Sequence, residues 1–194
     1  MKIKHNVRVR ILDAAEKRMV RFGYRKVTMD EIAADLVMSK NTIYLHFKSK
    51  VEIAKGLFDR LEARINNGQA AIEKANKNPL DVISKNIMFF QKELSPWFEH
   101  FLKDIKLELP DVWRDFIDFR TDKILEIKEL IEKGIKKGIF RKVNSGLAVR
   151  VYLGAVDSII NPEILEEEHV SFQEAIEAVI DIWSQGILKK EVRA

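Results

Sequence analysis

Between Lys40 and Lys50 the sequence KNTIYLHFKSK sets five hydrogen-bonding side chains, Lys40, Asn41, Thr42, Tyr44 and His46, close together, with Lys48 and Lys50 just beyond. Carried on one short helix, these groups offer donors to base edges and phosphates in a groove wide enough to admit a single helix. Ile43 and Phe47 recur at helical spacing on the other side and would anchor that helix to its neighbours. The plainer reading is a solvated amphipathic helix. His46 has a plain reading of its own, as a polar residue beside Phe47 on a packed helix.

Other chemistries find little support. No nucleophile and base pairing, paired-carboxylate motif, phosphate-cradling glycine loop or metal signature is visible. His5, His100 and His169 are scattered without ligand spacing and there is no cysteine, so neither a structural metal nor another cofactor is expected.

The elements that must position this cluster read as helices. Residues 1–50 carry twelve Lys and Arg against five Asp and Glu, whereas the remainder carries 22 against 25, so the basic charge belongs to one end. Such asymmetry points to a polyanion as that end's partner, or to an ordinary solvated basic face. Apolar residues recur at helical spacing almost throughout, with no alternation long enough for a sheet, which predicts an all-α fold. A first helix is predicted from near Asn6 to Gly23. Thr28 and Glu31 form a capping box that opens a short second helix, Ser39 caps a third, and Ser49 with Glu52 opens a fourth through Ile65. Asn78-Pro79 and Ser95-Pro96 predict starts of helices at about 79–94 and 96–109. A long helix is predicted over 111–137, another over 145–160 stopped by Asn161-Pro162, and a last over 171–190, with Glu166 to Glu168 as a solvated connection.

Two short helices joined by a tight turn outline a helix-turn-helix unit. The expected organisation is an N-terminal three-helix DNA-binding domain, residues 1–50, joined to a larger helical domain, residues 51–194. The longest run of apolar residues or glycine in the second half, 151–156, is far too short to span a bilayer, and Arg8, Arg10 and Asp13 interrupt the first twenty residues where a signal peptide would be apolar. The protein is therefore expected to stay in the cytoplasm, away from membranes.

From Ile11 through Phe58 the chain resembles the DNA-binding domain of the TetR family of bacterial transcriptional regulators. The motifs are FGY after the first helix, T-x-x-E-I-A opening the second, S-K-x-T-I-Y-x-H-F in the recognition helix and K-S-K before the fourth. Lys137 to Arg141 also resembles the loop that these regulators place after their long seventh helix. The resemblance implies a homodimer that binds a palindromic double-stranded DNA operator, represses transcription and is released by a small-molecule effector. It places Lys40, Asn41, Thr42 and Tyr44 at bases or the nearby backbone, and Thr28, His46 and Lys50 at phosphates. Lys40 and Asn41 become the direct readers, since Lys donates to guanine and Asn pairs with adenine through two hydrogen bonds. Two departures stand out: the family usually has Gly where Val37 stands, and Gly is common where Asn41 stands. A β-branched residue in a left-handed turn is strained by about 1–3 kcal/mol, so a different turn geometry or a tilted recognition helix is expected.

In the larger domain, eight of the seventeen aromatic residues fall between Phe89 and Phe119. They either fill the core of a bundle or wall an apolar pocket. The candidate pocket residues are Asn86, Phe90, Gln91, Trp97, His100, Phe101, Trp113, Phe116 and Arg120, with Arg120 facing an anionic group of the effector. The last two long helices are apolar on more than one face. Pairing with a second copy through Leu147, Val151, Gly154, Ile176, Ile180, Trp183 and Ile187 would bury the extra surface, as would coverage by a helix of the same chain. Two other functions remain open, a protein that coats DNA through charge alone and an all-helical enzyme.

Overall fold

Thr28 accepts a hydrogen bond from the Glu31 amide at 3.2 Å, and the Glu31 carboxylate takes the Thr28 amide at 2.8 Å, so two otherwise orphaned donors are satisfied at once. The same exchange joins Ser171 and Glu174. Capping of this kind punctuates a computed structural model that describes residues 2–159 and 162–189. The helices are α1 (Lys2–Phe22), α2 (Met29–Asp35), α3 (Lys40–Tyr44), α4 (Lys50–Ala75), α5 (Pro79–Trp97), a π-helical turn (Phe98–Leu102), α6 (Lys103–Glu108), α7 (Pro110–Lys136), α8 (Ser145–Ile159), α9 (Pro162–Glu167) and α10 (Phe172–Ile187). Among the described residues the only extended pairing is an isolated antiparallel bridge between Phe140 and Leu188. The all-α expectation stands.

Several boundaries move. α1 begins at Lys2, ahead of Asn6, and α4 continues ten residues past Ile65 to Ala75. α9 covers most of the acidic stretch that reads as a connection. The expected stop at Asn161 lies outside the described residues, and the last helix ends at Ile187, short of the expected Lys190. Ser95-Pro96 does not start a new helix: α5 passes through Pro96, which withholds one amide from the helical ladder, and the chain widens into the π turn directly after Trp97. Leu94, Trp97, Phe101, Leu102 and Ile105 are all buried across this stretch, and their burial outweighs the missing bond.

The chain divides into two compact units, 1–67 with 90–119 and 68–89 with 120–194. In the first, Ile11, Ala15 and Met19 of α1, Ile32 of α2, Ile43 of α3 and Ile53, Leu57, Leu61 and Ile65 of α4 form one core. The Phe58 ring lies 6.1 Å from Trp97, 5.6 Å from Phe101 and 5.7 Å from Phe116, centroid to centroid. At the rim Arg64 reaches Glu16 of α1 at 2.9 Å and Glu93 of α5 at 3.1 Å, while Arg60 holds Asp13 at 2.7 Å.

In the second unit, Ile83, Ile87, Ile131, Phe140, Tyr152, Val156 and the inward face of α10 share a core. Trp183 donates its indole N–H to the Ala148 carbonyl at 2.8 Å, which satisfies the one polar atom of a buried ring. After α7 the chain turns through Gly138, at φ 71°, where a left-handed backbone favours glycine. The loop 137–141 sits between α7 and α8. It brings the Phe140 ring onto Gly134, where a Cβ atom would overlap that ring. The Arg141 amide then donates to the Ile187 carbonyl at 3.0 Å and the Lys189 amide to Ile139 at 3.1 Å.

Val37 adopts the left-handed conformation itself, at φ 52°, so the expectation of a different turn geometry is corrected. Its amide donates to Ala34 at 3.1 Å, and the next amide, of Met38, donates to Ala33 at 2.9 Å, so the turn keeps its hydrogen bonds despite the β-branched residue. Because the side chain is 94% exposed, it contributes no packing to offset the strain. Val37→Gly should therefore stabilise the protein by about 1 kcal/mol, visible as a higher midpoint in urea unfolding. An unchanged or lower midpoint would show the strain to be absent.

Candidate nucleic-acid interface

α3 is five residues long and is held rather than self-sufficient. Ser39 caps it by accepting from the Thr42 amide at 3.0 Å, and Ile43 and Phe47, both fully buried, fix its inward face. Arg8 of α1 donates to the His46 carbonyl at 2.8 Å and stacks its guanidinium 4.1 Å over the Phe47 ring. Sequence reasoning missed Arg8, because a contact spanning 38 residues leaves no local pattern. The outward side chains are then Lys40, Asn41, Tyr44 and Leu45, all exposed, with Thr42 and His46 half-buried.

Each expected DNA-contacting residue lies on this unit, and several already have protein partners. The Lys40 ammonium pairs with Asp30 of α2 at 2.9 Å, and this hydrogen bond raises its pKa above that of an ordinary lysine. The Thr28 hydroxyl serves the cap of α2. Glu31 is held below the usual carboxylate range, first by the Thr28 amide and then by its hydroxyl. The contribution of this cap is thus complete at neutral pH and is lost as pH falls through the lowered value. The Thr42 hydroxyl meets Ser39 Oγ at 2.8 Å. Asn41 and Tyr44 stay exposed at the surface of the unit.

Lys50 departs most from expectation. Its ammonium folds back to donate to the Tyr24 carbonyl at 2.9 Å and the Val27 carbonyl at 3.0 Å, with the Tyr24 ring 4.2 Å away. Burial lowers its pKa, while Asp104, Glu108 and Glu31 oppose the shift. This lysine braces the α1–α2 connection. Asp104 of α6 grips the same connection by accepting from the Arg25 amide at 2.8 Å, and Arg25 pairs with Glu108 at 3.3 Å.

The expected aromatic pocket is corrected in part. Trp97, Phe101 and Phe116 are core residues of the first unit, packed ring to ring around Phe58. Phe90 and Trp113 are half-buried at the edge of that core, His100 is exposed, and Gln91 keeps a buried carbonyl oxygen without a bond. An open cleft of about 550 Å³ on the same unit is lined by the charged residues Asp13, Glu16, Arg64, Lys92 and Glu93 and by the edge of Trp97 beside Val20 and Pro96. Asn86 and Arg120 belong to the second unit. There Asn86 is buried with an unbonded Oδ1, and Arg120 is engaged by Asp157 at 2.9 Å instead of awaiting an anion.

The expected dimer residues also separate. Ile176, Ile180, Trp183 and Ile187 are inside the second unit's own core, since they lie on the face of α10 that meets α8. Leu147 and Val151 are 61% and 65% exposed, and Gly154 has open space beside it. On α10 the exposed residues include Ile182, 73% exposed, and Gly186, neither of which sequence reasoning selected. Among the described residues no group of three or more His, Cys, Asp or Glu side chains could hold a metal ion, and no helix is long and apolar enough to cross a membrane.

The helix-turn-helix geometry of α2 and α3 coincides with a family match. Residues 11–57 match the family model described as bacterial regulatory proteins, tetR family. The match covers the helix-turn-helix segment and the start of α4. Similar proteins extend over most of the chain's length. The uncharacterized HTH-type transcriptional regulator YvaF of Bacillus subtilis (strain 168) is 22% identical over 165 residues, 84% of this chain and 87% of YvaF. The fatty acid metabolism regulator protein of the same organism is 26% identical over 205 residues, 98% of this chain and all of that protein. A putative transcriptional regulator from Saccharomonospora viridis, solved in complex with choline, shares the fold with a TM-score of 0.83 at 20% identity, covering 96% of this chain and 100% of that one. Residues 11–57 thus match the DNA-binding segment of TetR-family regulators, and the similar proteins over most of the chain are transcriptional regulators.

Proposed function

We propose that this regulator is a repressor that binds a palindromic operator as a homodimer in the cytoplasm and is released by a small-molecule effector. Residues 1–50 read the DNA and residues 51–194 carry the effector site and the pairing surface. The observation that carries this reading is the outward face of α3, where exposed Lys40, Asn41 and Tyr44 stand opposite the buried anchors Ile43 and Phe47. Lys40 and Asn41 read bases, with Lys40 exchanging Asp30 for its DNA partner. Thr42 and Tyr44 contact bases or the nearby backbone, and Thr28 and His46 contact phosphates. Lys50 contributes positive charge near the DNA while it braces the α1–α2 connection. Leu147, Val151 and Gly154 of α8, with Ile182 and Gly186 of α10, pair with the same surface of a second copy. A C2 dimer of this kind matches a two-fold operator, each half-site meeting one recognition helix.

An effector in the larger domain acts only if it binds the DNA-competent and released conformations with different affinities. Asn86 of the second unit, with a buried and unbonded carbonyl oxygen, supports an effector that donates a hydrogen bond.

Selection of bound fragments from random and source-genome DNA, at near-physiological salt with excess competitor, tests the reading. Recovery of a palindrome is the expected result, and recovery of DNA without sequence preference would leave only coating by charge. On the selected operator, Asn41→Ala should lose about 1–3 kcal/mol of discrimination at one position of each half-site. Equal loss on every sequence would remove Asn41 from the base readers.

A further inference from the structure

We infer that Leu45 is a second specificity residue of the recognition helix, reading the 5-methyl group of a thymine. The inference rests on the operator-binding reading above. Leu45 is 84% exposed, although the apolar side chains on either side of it in sequence, Ile43 and Phe47, are fully buried. Its backbone is still helical, at φ −66° and ψ −24°, and its amide donates to the Asn41 carbonyl at 3.1 Å. Leu45 therefore stands one turn beyond Asn41 on the same face, the face turned directly away from Ile43.

An exposed leucine would gain nothing from facing water here, and the surrounding chemistry selects its occupant. The segment around it has an excess of seven positive charges, and its flanking outward residues are hydrogen-bond donors, which suits a polyanion. In the major groove the apolar feature of a base edge is the thymine methyl, and leucine has no polar atom with which to read anything else. Four residues of helix advance about 6 Å, against about 3.4 Å per base step, so the methyl belongs one or two steps from the base that Asn41 reads. Asn41 thus supplies the hydrogen-bonding part of the code and Leu45 the apolar part.

Replacing single operator thymines by uracil tests this without altering the protein, because only the methyl is lost and the hydrogen-bonding pattern is kept. Titrated against the full chain, the wild type should lose about fourfold in affinity at one thymine of each half-site, the cost of exposing one methyl-sized group. Leu45→Ala should bind thymine and uracil operators equally at that position, while keeping the preference that Asn41→Ala abolishes. A thymine-to-uracil ratio unchanged by Leu45→Ala at every position, or no effect of uracil on the wild type, overturns the assignment and leaves the operator reading intact. Failure to select any preferred sequence overturns both.

Discussion

Val151→Glu is expected to turn the proposed homodimer into a monomer and to lower operator affinity by at least about 100-fold, because two linked half-site readers gain 10²–10⁴ in avidity that single ones lack. Val151 lies on α8 between Leu147 and Gly154 at intervals of four and three residues, so the three form one exposed stripe. Across a two-fold axis the substituted carboxylate would be desolvated close to its own copy, a juxtaposition that costs several kcal/mol. The side chain is 65% exposed in the single chain, so folding of the monomer should be little affected and its unfolding midpoint is the control. Sedimentation and operator titration give the answer. A variant that stays dimeric with undiminished affinity would exclude this stripe, and Ile182→Glu would then show whether α10 alone carries the contact.

Phe47→Ala is expected to cost about 3–5 kcal/mol, in the upper range for a fully buried aromatic. The ring packs against Gly56 of α4, where an added Cβ would lie 3.4 Å from it, and the Arg8 guanidinium stacks over its face. Without the ring, α3 has Ile43 as its only fully buried anchor. Five residues of helix do not persist in water on their own. Specific binding should therefore disappear, with a lower urea midpoint, while the Trp183 environment in the second unit keeps its spectral signature. An unchanged midpoint together with intact binding would show that the ring is dispensable.

Local signals in the sequence were legible and distant ones were not. Thr28 with Glu31, Ser39, Gly23 and Gly138 mark helix ends through bonds or backbone angles within a few residues, and each marks an end in the structure. The Ser49-Glu52 pair is half legible. The Glu52 amide donates to Ser49, but its carboxylate is taken by the Lys48 amide instead of by Ser49. Pro96 misleads because its local cost is overridden by tertiary burial of Trp97 and Phe101. For the candidate site, the outward set on α3 follows from helical spacing, whereas the braces follow from nothing local. Arg8 on His46, Lys50 on Tyr24 and Val27, and Asp104 on Arg25 span 38, 26 and 23, and 79 residues. Amphipathic pattern likewise tells that α10 has two apolar faces but not which one the chain keeps for itself. The inward set proved to be Ile176, Ile180, Trp183 and Ile187.

The division of the chain limits how freely such a regulator can be rewired. Helices α4, α5 and α7 each contribute residues to both compact units, so the DNA-reading unit is not a contiguous cassette. A fragment ending at residue 67 would leave Phe58 without Trp97, Phe101 and Phe116, and would strip Asp104 from the connection between the first two helices. Transplanting the specificity of this protein into another regulator therefore calls for a recipient whose own helices re-cover Phe58 and supply an acceptor for the Arg25 amide. Exchanging only the outward residues of α3 on the recipient's native scaffold is the more economical route to a new operator preference.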